Sequence, residues 1–283
     1  MIQRKWFSRK SLRHAARRAA NVVPMSLRFA KWRAMNVVPS LSYLRRRGDL
    51  SAHGAGLLDD LNRWGIAQTS VAEFLDPSLF TEMRDETARL RGDGIGFGAA
   101  DFRYKSYVES LLSKDHHARE ASVFVRFAKQ PRIVALANAY FRMRSELKFV
   151  DVMVNSRSDA PPKNSQLWHR DGNDHLIFKM YVNLTDIGPR SGAFTYARGT
   201  HLKLGRVRAP HSIREAGHAN DRSDDLAMET VVPRARWHSA TGPIGTVTFA
   251  DTAGYHKGGY VEEDSARVLY TCMFISPHPV LGY

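Results

Sequence analysis

Leu147-Lys148-Phe149-Val150-Asp151-Val152-Met153-Val154-Asn155 is where the pattern of the chain changes. Before it, apolar residues recur at helical spacing; from it onward they alternate with a period of two, as on a pleated strand. The same alternation predicts strands over His175–Asp186, Ala193–Ala197, Gly245–Asp251 and Arg267–Ile275, separated by loops rich in Gly, Pro, Ser and Asp. On the N-terminal side, Leu57, Leu58 and Leu61 predict a helix over Gly54–Gly65, followed by an extended stretch Ile66–Phe74. A second helix is predicted over Pro77–Leu90 with Asp76 as its N-cap, and a helical region over Ser122–Phe141 broken near Pro131. Gly92, Gly94, Gly96 and Gly98 match neither a dinucleotide fingerprint nor a P-loop and read as a loop. Helices first and short strands afterwards predict an α+β chain with a mainly β core, a sandwich or jelly roll supported by N-terminal helices.

Composition sets the outer bounds. The chain has 283 residues, 43% hydrophobic and 25% charged, which suits one large folded domain with appendages and excludes disorder throughout. The single Cys272 excludes an intramolecular disulfide and any multi-cysteine metal site, and it fits a reducing, cytoplasmic compartment. No stretch approaches the roughly 18 apolar residues of a membrane span. A secretory signal is argued against by Arg13, Arg17 and Arg18, which interrupt any apolar core near the start, whereas an Arg-rich, acid-free N-terminus overlaps with organelle-targeting composition.

The net charge of +14 is unevenly placed. Residues 1–48 hold 13 Lys/Arg and no Asp or Glu, leaving 29 basic against 28 acidic side chains in residues 49–283. The chain therefore divides into a basic N-terminal arm, 1–48, and a near-neutral body, 49–283, with helical support over 49–146 and the β part over 147–278. Asn-Val-Val-Pro occurs twice in the arm, at Asn21–Pro24 and Asn36–Pro39, and each Pro suits a helix start. Trp6, Phe7, Leu12, Phe29 and Trp32 do not segregate from the arginines on a helical wheel, which argues against an in-plane membrane helix. A solvated basic extension partly packed on the body, and a surface for anionic lipid headgroups or an anionic substrate carrier, both remain open readings. Nucleic acid lacks any supporting signature, and the oligomeric state is not legible.

The chemistry-bearing residues lie in the β part. Gln166-Leu167-Trp168-His169-Arg170-Asp171-Gly172 contains a His-x-Asp whose two side chains share a face in extended backbone, close enough to hold one ion. Alone that pair is weak, and it also reads as an ordinary hydrogen-bonded strand-end pair. Far downstream, the segment Gly245–His256 ends in a histidine among turn glycines, and Arg267 opens the last strong strand. Two His and a carboxylate form a facial triad that leaves metal positions open, and a neighbouring Arg can grip a carboxylate in bidentate fashion. The alternatives are a loop histidine at His256 and, for Arg267, pairing with Glu262, Glu263 or Asp264.

In ordered combination, His169-x-Asp171, the strand ending Val182-Asn183-Leu184-Thr185-Asp186, Gly192 followed by Gly199-Thr200-His201, and His256 with Arg267 eleven residues on resemble the phytanoyl-CoA dioxygenase-like branch of the iron(II)/2-oxoglutarate-dependent oxygenases. The resemblance covers about residues 50–278, not the arm. It implies a double-stranded β-helix of cupin-like type, with His169, Asp171 and His256 as iron ligands and Arg267 on the C5 carboxylate of 2-oxoglutarate. Lys179, Gln166 and Asn155 match positions that contact this co-substrate in family members; Lys179 also suits the wet face of its strand. With O2 as second co-substrate, the implied reaction hydroxylates a C–H bond of a small-molecule, lipid-linked or sugar-containing substrate and releases succinate and CO2. Halogenating relatives replace the metal carboxylate by a small residue, so Asp171 favours hydroxylation.

Two other classes compete, a non-catalytic cupin-like binding protein and a nucleic-acid or protein demethylase of the same fold that docks through the arm. Elsewhere, His175 and His201 suit structural or pocket roles, His116 and His117 a surface, Trp168 a core position, and 204–240 a polar lid or a passive insertion.

Overall fold

Alternation along four long strands builds the architecture. A computed structural model describes residues 24–46, 48–92, 107–157, 160–205, 208–210, 222–262 and 266–280. The expectations concerning Trp6, Phe7, Leu12, Gly94, Gly96, Gly98, Glu263 and Asp264 lie outside the described residues. The helices are α1 (Met25–Met35), α2 (Val37–Arg45), α3 (Ala52–Trp64), α4 (Val71–Phe74), α5 (Pro77–Gly92), α6 (Val123–Ala128), α7 (Pro131–Phe141) and α8 (Asp225–Glu229). The strands are β1 (Ile66–Ser70), β2 (Val108–Ser110), β3 (Glu146–Asn155), β4 (Phe178–Asn183), β5 (Thr195–Ala197), β6 (Trp237–Ser239), β7 (Thr246–Asp251), β8 (His256–Lys257) and β9 (Arg267–Ile275).

A six-stranded antiparallel sheet runs β1-β7-β4-β9-β3-β2 and a three-stranded one runs β6-β5-β8. On one face of the large sheet Val150, Val152, Phe178, Met180, Phe249, Tyr270, Cys272 and Phe274 enter a core shared with Leu61, Phe74, Phe124, Phe127, Leu136 and Tyr140 of the supporting helices. Period-two geometry turns the intervening residues to the opposite face. There Tyr181 and Ala250 join Phe194 and Tyr196 beside the small sheet in a second apolar cluster. Two facing antiparallel sheets backed by helices form the expected double-stranded β-helix.

Local chemistry sets the helix ends. Ser51 accepts a hydrogen bond from the Gly54 N–H at 3.1 Å to start α3, and Gly65 ends it with φ +78°. Asp76 caps α5 through the Ser78 N–H at 2.8 Å, and Pro131 sits in the first turn of α7, which separates it from α6. The extended stretch ends earlier than its residues suggest: Ser70 accepts from the Glu73 N–H at 3.3 Å and turns Val71–Phe74 into α4.

The described part of the arm is packed on the body. Trp32 is fully buried, its Nε1 donates to Ser276 Oγ at 3.0 Å, and the Asn36 side chain exchanges two hydrogen bonds with the His278 main chain, each 3.0 Å. Phe29 stacks on His175 with ring centroids 4.8 Å apart. Pro24 immediately precedes α1 and Pro39 lies in the first turn of α2, where proline costs no helical hydrogen bond. No helix among the described residues is long and apolar enough to cross a membrane.

Candidate metal centre

The early His-x-Asp and the late histidine meet at a main-chain junction. His169 and His256 face each other in an isolated antiparallel bridge, each N–H donating to the other's carbonyl at 2.9 Å. The Asp171 N–H donates to Thr252 O at 2.8 Å, which ties the first segment to the turn leading into β8. That turn is fixed by Asp251, which is fully buried: its carboxylate accepts from the Ile177 and Ala253 N–H groups at 3.0 and 3.1 Å and from the Tyr140 hydroxyl at 2.7 Å. Gly254 is required in the turn, because a Cβ there would collide with the Tyr196 hydroxyl.

The side chains then converge. One ligand atom from each of His169, Asp171 and His256 lies within 4.8 Å of the others. The two imidazole Nε2 atoms stand 3.9 and 3.8 Å from the Asp171 carboxylate oxygens, too far for hydrogen bonds, so this is not an ordinary strand-end pair. The Nδ1 atoms lie 2.8 Å from Leu167 O and 3.0 Å from Gly254 O. A neutral ring makes such a contact by donating its Nδ1 proton, which leaves the Nε2 lone pair facing the carboxylate. Burial favours that neutral form, holding His169 well below the usual imidazole range and pushing His256 down to about 4. For Asp171 burial opposes the charge, but Lys179 and the two histidines outweigh it and keep the carboxyl below its usual range. Neutral imidazoles and an ionised carboxylate are the protonation states that bind a divalent cation.

Lys179, on β4, points into this site rather than to the wet face of its strand: its Nζ donates to Asp171 Oδ2 at 2.7 Å. Arg267, the first residue of β9, is 5% exposed, and its Nε and Nη1 have no hydrogen-bond partner among the described residues. Burial lowers the guanidinium to about 10, with Tyr181 and Tyr107 opposing, and it remains charged at neutral pH. Glu262 is directed to Arg190 at 3.5 Å and leaves Arg267 to the interior. A buried cation with two idle donors fits the carboxylate of an anionic ligand. Asn155 pairs with Arg267 in the β3/β9 register, and its Oδ1 is likewise unpartnered. Gln166 is held locally, its Oε1 accepting from the Lys163 N–H at 3.1 Å in a 3-10 turn.

Several neighbours escaped the sequence reading. Thr271 has an unpartnered buried Oγ1 and lies four residues beyond Arg267, on the same face of β9, opposite Tyr181 in the register with β4. That face was recoverable by counting twos from Arg267. Phe194 packs on the His256 ring at 5.6 Å beside the β5/β8 pairing and on Tyr181 of the large sheet at 4.6 Å, long-range contacts carried by no local motif. Of the other candidates, Trp168 is fully buried as expected, His201 bonds to Asn62 O at 3.0 Å, and His116 is half-buried against Ser122 rather than on a surface. The described part of 204–240 contributes α8 and β6, with the Trp168 Nε1 donating to Asp225 at 2.7 Å.

No protein-family model matches the sequence, and no curated protein sequence does. The fold is shared with solved structures. The epimerase SnoN in complex with Fe3+, alpha ketoglutarate and nogalamycin RO superposes with a TM-score of 0.57 at 18% identity, covering 80% of this chain and 84% of that one. HygX from Streptomyces hygroscopicus with nickel, 2-oxoglutarate and hygromycin B gives 0.56 at 16% identity, covering 81% and 88%. EctD from S. alaskensis in its apoform gives 0.54 at 16% identity, covering 80% and 77%. At these identities the likeness establishes the double-stranded β-helix that non-heme alpha ketoglutarate-dependent enzymes are built on.

Proposed function

We propose that this protein is an iron(II)- and 2-oxoglutarate-dependent oxygenase that oxidises a C–H bond of a small organic molecule, with hydroxylation as the outcome. The observation that carries the reading is the convergence of two Nε2 lone pairs and the Asp171 carboxylate, with the buried Arg267 guanidinium, two of its nitrogens idle, acting on the same Tyr181 side chain as Asp171 and Lys179. In that role His169, Asp171 and His256 would hold the metal, and three protein ligands would leave it room to bind co-substrate and dioxygen. Bound there, ferrous iron with 2-oxoglutarate and O2 supplies the oxidising power, converting the co-substrate to succinate and CO2.

The chain's own residues do the rest. Arg267 grips the far carboxylate of the co-substrate through its unpartnered donors, and Asn155 and Thr271 offer further polar atoms beside it. Lys179 supplies a second positive charge, at present directed to Asp171. Phe194 and Tyr181 pack an apolar wall on the His256 side that excludes bulk water. Asp171 occupies the position that halogenating enzymes of this type leave small, which favours hydroxylation. The complexes with nogalamycin RO and hygromycin B favour a small-molecule substrate over a macromolecule.

The test is anaerobic Fe(II) and 2-oxoglutarate titration followed by succinate release in air. His169→Ala and Asp171→Ala should each abolish metal-dependent succinate formation. Undiminished turnover in both variants rejects the metal assignment, whereas binding of both ligands with no succinate under any substrate screen assigns the site to a binding protein.

A further inference from the structure

A helix resting on a folded body ordinarily turns its apolar stripe inward and its charges to water. The first two helices of the described chain distribute their residues otherwise. In α1 the inward stripe is Arg28, Phe29, Trp32 and Arg33, continuing to Asn36, while Leu27, Ala30, Ala34 and Met35 are exposed. Arg33 is engaged inside, its Nη1 donating to Phe141 O at 2.7 Å. Directly after Asn36, α2 exposes Val37, Val38, Leu41 and Leu44, with Val38 71% and Leu44 64% exposed. Of the ten large hydrophobic residues that are exposed among the described residues, six fall on these two helices. Lys31, Arg45 and Arg46 are exposed with them, and the first acidic residue of the chain is Asp49.

We infer that the outer face of α1 and α2 is a docking surface for an anionic lipid membrane, the aliphatic side chains entering the interface while Lys31, Arg45 and Arg46 meet the headgroups. Exposed aliphatic residues on two helices whose charged side chains are all cationic fit that environment. A second copy of the chain fits poorly, because a symmetric contact would set the same cations against one another with no acidic residue on either helix. Nucleic acid would use the charges and leave the leucines and valines in contact with a polar backbone. The surface is ready-made: Trp32 and Asn36 fasten α1 to the body, so docking need not order it.

The experiment is co-sedimentation of the full-length protein with phosphatidylcholine vesicles prepared with and without phosphatidylglycerol. Binding is expected only with the anionic lipid and should weaken as salt is raised. Leu41→Ser with Leu44→Ser, and separately Arg45→Glu with Arg46→Glu, should each weaken it about tenfold or more at unchanged melting temperature. Leu226→Ser, on an exposed position of α8, should leave it unaltered. Failure of the unaltered protein to bind anionic vesicles overturns the proposal, as does undiminished binding by the leucine variant. Concentration-dependent dimerisation abolished by that variant, or salt-sensitive binding of double-stranded DNA in place of vesicles, would also overturn it by reassigning the surface. The readout is independent of turnover, so its failure would leave the oxygenase reading standing.

Discussion

Under the proposed function, Arg267 concentrates the recognition of the co-substrate in one side chain. Its guanidinium is buried with Nε and Nη1 unpartnered, a state that costs free energy until an anion arrives. Lysine keeps the charge but offers no planar fork. Arg267→Lys should therefore weaken 2-oxoglutarate binding roughly 10- to 100-fold, with Fe(II) affinity unaltered, as measured by anaerobic tryptophan-fluorescence titration. Equal affinity for 2-oxoglutarate in the variant would remove Arg267 from the pocket. The residue pattern made this side chain visible from the start, since an arginine opening a strand a fixed distance after a glycine-flanked histidine is a sequence feature. Thr271 and Phe194 were not visible in that way. Thr271 is one of many strand threonines until its register with Tyr181 is known, and Phe194, just before β5, meets His256 only through the β5/β8 pairing and Tyr181 only across the gap between sheets.

At the scale of elements, the junction between α1 and the body is built on Trp32, Phe29 and His175. Trp32→Ala should lose about 3–5 kcal/mol by leaving a cavity and removing the indole donor from Ser276 Oγ, which keeps its bond to Asp174, read as a fall in the urea midpoint. His175 adds a pH dependence. Burial pushes its imidazole down to about 4, with Arg28 adding to the effect, so between about 6.5 and 4 the unfolded chain binds a proton that the folded one refuses. Stability then falls as pH falls through that window, by up to about 3 kcal/mol from this group. Asp174, which burial pushes upward, works in the opposite sense, so the comparison to make is with His175→Gln. The variant should show a flatter decline of melting temperature from pH 7 to 5; an identical decline would acquit His175.

The elements also divide by how readable they were. β3, β4, β7 and β9 are long enough for apolar alternation to declare itself, and all four appear where it placed them, with ends shifted by a few residues in β4. β2, β6 and β8 span two or three residues and exist because a partner strand offers hydrogen bonds, a cause that local sequence does not contain. The arm resisted the helical wheel for a different reason: both sides of α1 carry apolar residues, the aromatic ones turned to the body and the aliphatic ones to solvent.

For the molecule as a whole, the centre joins distant stretches of chain. His169 and Asp171 come before the small sheet is complete, and His256 comes near the end of it. A divalent ion bound by all three stabilises the folded state and has nothing comparable to bind in the unfolded one. At about one hundred times its dissociation constant, Mn(II) or anaerobic Fe(II) should add about 2.7 kcal/mol, a melting-temperature rise of roughly 5 °C that EDTA reverses and Asp171→Ala abolishes. A rise of equal size in Asp171→Ala would place the ion elsewhere.

The bridge at His169 and His256 is formed by main-chain atoms alone, each residue giving and receiving one hydrogen bond irrespective of its ring. Deleting a ring therefore leaves the framework that carried it, and a vacancy of known shape beside two intact donors. On the proposed metal assignment, His256→Gly would turn this protein into a scaffold that accepts a freely diffusing azole as its third donor, so that the electronic character of the ligand can be varied by choice of solute with no further change to the polypeptide.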